Sequence, residues 1–166
     1  MRIVDPILME FDQETATTRK LLTRVPNDKL GWKPHPKSMS LGELALHIAQ
    51  TPGVMAGFVS GPSVAMPGSF KQAAATSTQE LIAALDASVA KVKEVLGPMD
   101  DATVMSTWTL TAGGKTIMSV PRLGVIRSLM LNHWYHHRGQ LSVYLRELGV
   151  PLPSIYGPSA DENPFG

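Results

Sequence analysis

At 166 residues, with 43% hydrophobic residues and a formal net charge of +1, the chain has apolar material for one core and no charge excess suited to a polyanion. It has no cysteine, which removes disulfides, thiolate ligands and a cysteine nucleophile, and leaves histidine and carboxylate as the strong metal donors. The N-terminal residues lack the apolar segment of a signal peptide, and no uninterrupted apolar stretch approaches the ~20 residues of a membrane span. The expectation is therefore one cytoplasmic domain over residues 1–166, with no nucleic-acid or membrane partner.

From about residue 4 to residue 24, Ile7, Leu8, Phe11, Thr15, Thr18, Leu21 and Leu22 recur at three- and four-residue spacing, the pattern of an amphipathic helix. The two prolines of Lys33-Pro-His-Pro-Lys37 keep their preceding residues extended, so His35 belongs to a connector. Ser40-Leu-Gly-Glu43 has capping-box spacing and opens a second helix with Leu44, His47, Ile48, Met55 and Phe58 on one side, which Pro52 should kink. Residues 61–69 read as a loop. Ser77-Thr-Gln-Glu80 repeats the box and opens a third helix that stops at Gly97-Pro98.

Between residues 107 and 120, β-branched residues flank Gly113-Gly114, the signal of a short hairpin and hence of a two-stranded flap. The last and longest helix opens at Pro121 and closes near Gly149. The residues after it are too rich in proline for regular structure and suit an extended tail lying across the bundle.

Three of the five histidines fall in Asn132-His-Trp-Tyr-His-His-Arg138 within this last helix. At ~100° per residue, with His133 as zero, His137 lies at about 40°, among Ile126, Tyr144, Met130 and Leu148. His136 falls at the stripe's edge, at about −60°, and Arg127, Arg138, Ser142 and Arg146 take the opposite, solvated side. Imidazoles four residues apart stand one above the other and can reach a common ion. The glutamate of a His-Glu-x-x-His protease is absent, because Trp134, Tyr135 and His136 intervene. The pair alone also fits two core histidines hydrogen-bonded to backbone or water. His47 shifts the balance, since it shares the apolar face of the second helix with Leu44, Thr51, Val54 and Phe58. One divalent ion would satisfy three buried imidazoles at once, and three nitrogens suit zinc, nickel, copper or ferrous iron better than magnesium or calcium.

Leu41-Gly-Glu-Leu-Ala-Leu-His47-Ile-Ala, Leu131-Asn-His133-Trp-Tyr-His-His137-Arg-Gly-Gln-Leu and the downstream Gly-Val-Pro-Leu-Pro-Ser-Ile-Tyr156-Gly-Pro-Ser together resemble the DinB/YfiT-like superfamily over nearly the whole chain. The resemblance implies an all-α, up-down-down-up four-helix bundle holding a divalent ion on three histidines, in many members as a homodimer. By position the ligands are His47, His133 and His137. Members with assigned activity resemble transferases or isomerases that use a low-molecular-weight thiol; others have no assigned reaction.

The leading expectation is thus a divalent transition-metal protein, zinc or nickel before the others, transferring a thiol to an electrophilic small molecule. A metal- or ligand-binding bundle without turnover and a metal-dependent hydrolase are the alternatives. Hydrolysis needs a general base, for which His136, Tyr156, Asp161 and Glu162 are the candidates. Trp108, Trp134, Trp32 and His35 read as packing or connector residues.

Overall fold

The computed structural model describes residues 1–66, 68 and 71–165. It is mostly helical. Helix α1 spans Val4–Leu22, α2 Leu41–Ser60, α3 Thr78–Leu96 and α4 Asp101–Met105, and a single 3-10 turn, Asn27–Lys29, lies between α1 and α2. The last helical stretch is continuous in chain but changes pitch, from α5 (Arg122–Val125) through a π-helical turn (Ile126–Asn132) to α6 (His133–Glu147). No helix among the described residues is long and apolar enough to cross a membrane.

The two serine caps differ in detail. Ser40 Oγ accepts from the Glu43 amide while Glu43 returns a bond to the Ser40 amide, a full capping box at 3.1 and 2.7 Å. Ser77 accepts from the Glu80 amide, but the Glu80 carboxylate turns to the amide and hydroxyl of Thr76, so the second box is only half made. The core runs through all the long helices, with Phe11, Leu22, Leu44, Ile48, Leu81, Leu85, Met130, Trp134 and Leu141 fully or nearly enclosed.

Helix α2 continues unbroken through Pro52. Proline has no N–H, so the Ile48 carbonyl one turn earlier loses its helical donor. The Trp134 indole N–H takes that donor's place at 2.9 Å, in a buried bond between α2 and α6. A residue that weakens one helix thereby fixes its register against another, and His47 and His133 flank the two ends of that bond in sequence. At α2's far end, buried Arg122 donates to the carbonyls of Val59 (2.9 Å) and Gly61 (3.0 Å), satisfying orphaned acceptors there.

The flap is a three-stranded sheet where two strands were expected. Strands β2 (Thr107–Ala112) and β3 (Lys115–Pro121) pair antiparallel around Gly113 and Gly114, whose φ values of +55° and +76° are those a tight two-residue hairpin turn demands. Part of the expected loop is strand β1 (Ser63–Ala65), added parallel to β2 with Val64 opposite Leu110. Residues 67 and 69 of that expected loop lie outside the described residues. Pro121 ends β3 and precedes the helix it was expected to open.

After Gly149 the described residues form neither helix nor strand. Arg24 holds this segment through the Pro151 carbonyl (2.9 Å) and Glu162 (3.2 Å), and Arg146 pairs with Asp161.

Candidate metal centre

Three imidazoles meet where α2 crosses α6. His47 Nε2 and His137 Nε2 each lie 3.1 Å from His133 Nε2, and the rings stand nearly perpendicular to one another, at 78° to 88°. His133 and His137 are neighbours because they sit one turn apart on α6. His47 joins them because α2 runs alongside, locked by the Trp134–Ile48 bond one residue further along each helix. His137 is buried, and His47 and His133 are half-buried. The cluster therefore sits at the edge of the core, with one side toward solvent.

The outer nitrogens set the tautomers. Nδ1 of His47 lies 3.0 Å from Gln72 Oε1, and Nδ1 of His137 lies 2.7 Å from Gln140 Oε1. A carbonyl oxygen only accepts, so both Nδ1 atoms carry the proton and both Nε2 atoms turn a lone pair inward. His133 can donate one Nε2 proton to one neighbour, which leaves a second pair of nitrogens facing each other without a hydrogen between them. Protonation is disfavoured as well. Burial depresses the pKa of His47 despite the opposing Gln72 bond. Burial, with the charges of His47 and His136, does the same to His133. His137 is pushed down to about 4, by burial first and then by its three histidine neighbours, against the opposing pull of Gln140.

Three neutral, inward-facing nitrogens are a cation's ligand set. The separation fits too: at a metal–nitrogen distance of ~2.0–2.1 Å, tetrahedral ligand atoms stand about 3.3–3.4 Å apart. No carboxylate joins this group among the described residues. A single divalent ion could be held by His47, His133 and His137, with at least one position left for an outside ligand.

The other candidate residues are placed elsewhere. His136 is exposed, its ring 5.1 Å from that of His137 and stacked edge-on. Asp161, whose pKa falls through its bond to Arg146, also accepts from the Leu152 amide at 2.8 Å, and Glu162 accepts from the Ser154 amide at 2.6 Å. Both fasten the C-terminal segment. Tyr156 donates to Glu14 at 3.0 Å and meets the Arg138 guanidinium, so its hydroxyl is engaged.

Arg138 corrects the sequence reading. Expected on the solvated side, it is only 1% exposed, ion-paired with Glu14, bonded to Thr18 Oγ1 (3.2 Å) and flanked by the rings of Tyr135 and Tyr156. The helical wheel was centred on His133, whereas the enclosed face of α6 centres on Trp134, Leu141 and Leu145, roughly 100° further round. The same offset explains why His133 is half-exposed, and a like one on α2, whose enclosed face centres on Leu41, Ile48, Pro52 and Val59, explains why Val54, expected to share the buried face of His47, is 46% exposed. Sequence reasoning also missed Gln72 and Gln140. The three-residue step from His137 to Gln140 is a readable signal, since such residues adjoin on a helix. Gln72, 25 residues from His47 in a connector, offers none.

Comparison with known proteins agrees with the fold and the length. Residues 3–163 match the DinB family. An uncharacterized Bacillus subtilis protein, YrdA, is 24% identical over 161 residues, covering 96% of this chain and 91% of its own. Two solved structures are similar: a DinB-like protein from Bacillus cereus ATCC 10987 (TM-score 0.70, 23% identity, 90% of this chain and 95% of that one) and a DinB-like protein from Bacillus subtilis (TM-score 0.66, 20% identity, 87% and 93%).

Proposed function

The chain belongs to the DinB family, and from its histidine cluster we propose that it is a divalent-metal protein whose ligands are His47, His133 and His137, acting as a metal-dependent transferase of a low-molecular-weight thiol. The observation that carries this reading is the convergence of three Nε2 atoms, with Nδ1 held by a glutamine on two of the rings and no carboxylate in the group. A zinc or nickel ion bound there would lower the pKa of a thiol or water in its open position. The half-exposed edges of His47 and His133 give a small molecule access, while Gln72 and Gln140 keep the imidazoles aligned.

Hydrolysis is the weaker reading. It asks for a base beside bound water, and Asp161, Glu162 and Tyr156 are engaged elsewhere, which leaves exposed His136 as the one remaining candidate of the four. Binding of metal or a small ligand without turnover is the alternative that experiment must separate. The finer architecture belongs to the same proposal: one domain over residues 1–166, with α1, α2, α3 and the α5–α6 stretch as an up-down-down-up bundle, working as a cytoplasmic homodimer on a small-molecule substrate without nucleic acid.

The test is elemental analysis of untagged protein beside a His133→Ala variant, then thiol addition to a cobalt-substituted sample. About one ion per chain that vanishes in the variant, with a change in the visible spectrum on adding thiol, is expected. No metal after reconstitution overturns the site. Metal without a thiol response overturns the transferase reading and leaves the binding protein.

A further inference from the structure

The connector that leads into α3 reaches the histidines from outside the helices. Ala75 pins it: its side chain is buried, and its amide donates to the Gly42 carbonyl at 3.2 Å. The approach is close because residue 42 is glycine; a Cβ there would lie 3.2 Å from the Ala75 carbonyl oxygen. Three residues earlier, Gln72 is half-buried and accepts the Nδ1 proton of His47, while its own amide donates to the Ala73 carbonyl at 3.1 Å. Lys71, Ala73, Ala74 and Thr76 around these two anchors are exposed. Among the described residues the connector is thus held by Ala75, through its buried side chain and its amide, and by the Gln72 side chain, which holds a ring of the candidate metal centre.

We propose that Gln72 is a positioning residue of the metal centre and that, through it, metal occupancy fastens residues 71–75 against α2. The inference rests on the three-histidine reading above. Its physical content is linkage. With Gln72 in place, His47 is held as the tautomer with Nε2 free and turned inward; without it, the ring can flip or shift its proton to Nε2, and that conformer cannot bind. Removing such an outer partner typically weakens a metal about 10–100-fold. Whatever factor Gln72 adds to metal affinity, metal adds to the stability of the Gln72 contact, because the two equilibria close a cycle. Gln140 makes the same bond to His137 from within α6. It should share the effect on affinity and have no effect on the connector.

Lys71 makes the second half measurable, since trypsin cleaves after it only when the neighbouring residues leave their anchors. Zinc affinity would be measured by chelator competition for the wild type, Gln72→Ala, Gln72→Glu and Gln140→Ala, with tryptic cleavage after Lys71 timed against cleavage after exposed Lys115 at the start of β3. The expected results are affinity lost by about 10–100-fold in both alanine variants and restored in Gln72→Glu, whose carboxylate accepts the same proton. Zinc should slow cleavage after Lys71 by a similar factor in the wild type and in Gln140→Ala, and leave it unchanged in Gln72→Ala. Equal zinc affinity in the wild type and Gln72→Ala overturns the positioning role, and a cleavage rate that zinc does not move in the wild type overturns the connector's part in it; in both cases the histidine site stands. Wild-type protein that binds no zinc overturns the site itself, and this inference with it.

Discussion

Two polar clusters share helix α6, about 100° apart around its axis, and they solve opposite problems. On one side Arg138 meets a carboxylate, two hydroxyls and two aromatic faces, so a buried positive charge is answered by the protein's own groups. On the other, His133 and His137 meet His47 with no carboxylate beside them and one proton at most to share between two nitrogen–nitrogen contacts. The first cluster is complete as folded, and the second leaves one nitrogen pair unanswered, which a cation would complete. Adjacent residues, His137 and Arg138, are therefore suited to different work: one would ligate a metal, and the other ties α6 to α1 and to the C-terminal segment.

The most direct way to break the comparison is His137→Ala. It should take metal content from about one ion per chain to near zero by elemental analysis while the protein stays folded, because a three-ligand site has no spare donor. Arg138→Ala should do the reverse. It strands Glu14 beside a cavity and should cost about 3–5 kcal/mol in chemical denaturation, with metal stoichiometry unchanged.

Acid sharpens the contrast. The folded chain keeps His137 neutral down to about pH 4, whereas the unfolded chain protonates it near 6.5. Between those values the unfolded state binds more protons, so this contribution to the stability of metal-free protein is whole above 6.5, falls as pH drops toward 4, and then levels off. The slope from this one residue is at most ~1.4 kcal/mol per pH unit. His47 and His133 shift in the same direction, and His137→Gln should flatten the profile measured by denaturant midpoints. The smallest effect belongs to Tyr156→Phe. It removes a hydroxyl that touches Glu14 and Arg138 from a residue 71% exposed, and should cost roughly 1 kcal/mol without altering metal content.

What could be read beforehand divides along the same line. The caps at Ser40 and Ser77, the hairpin at Gly113-Gly114 and the four-residue step from His133 to His137 are local signals, in which residue type and spacing carry the geometry. Strand β1 escaped because three residues in a proline- and glycine-flanked segment have no periodicity, and only pairing with β2, more than 40 positions on, makes them a strand. Arg138 escaped because arginine is buried only where a partner waits, and Glu14 lies 124 residues away. Gln72 escaped for the same reason. The imidazoles could be named from sequence, but the groups that fix their tautomers are set by tertiary contacts.

The π-helical turn ahead of His133 carries one more consequence, for the lengths this chain can tolerate. A bond reaching five residues back accommodates one more residue than a bond reaching four, so Ile126–Asn132 holds slack that the flanking α-helical turns lack. Deleting one residue within it can be absorbed by tightening to ordinary pitch, leaving α5 below and the histidines above in phase. The same deletion between His133 and His137 has nowhere to go and turns one of these imidazoles away from the other by about 100°. Single-residue deletions scanned along residues 126–137 and scored by zinc binding should therefore be tolerated in the seven positions immediately before the first histidine of this helix and not between its two ligands.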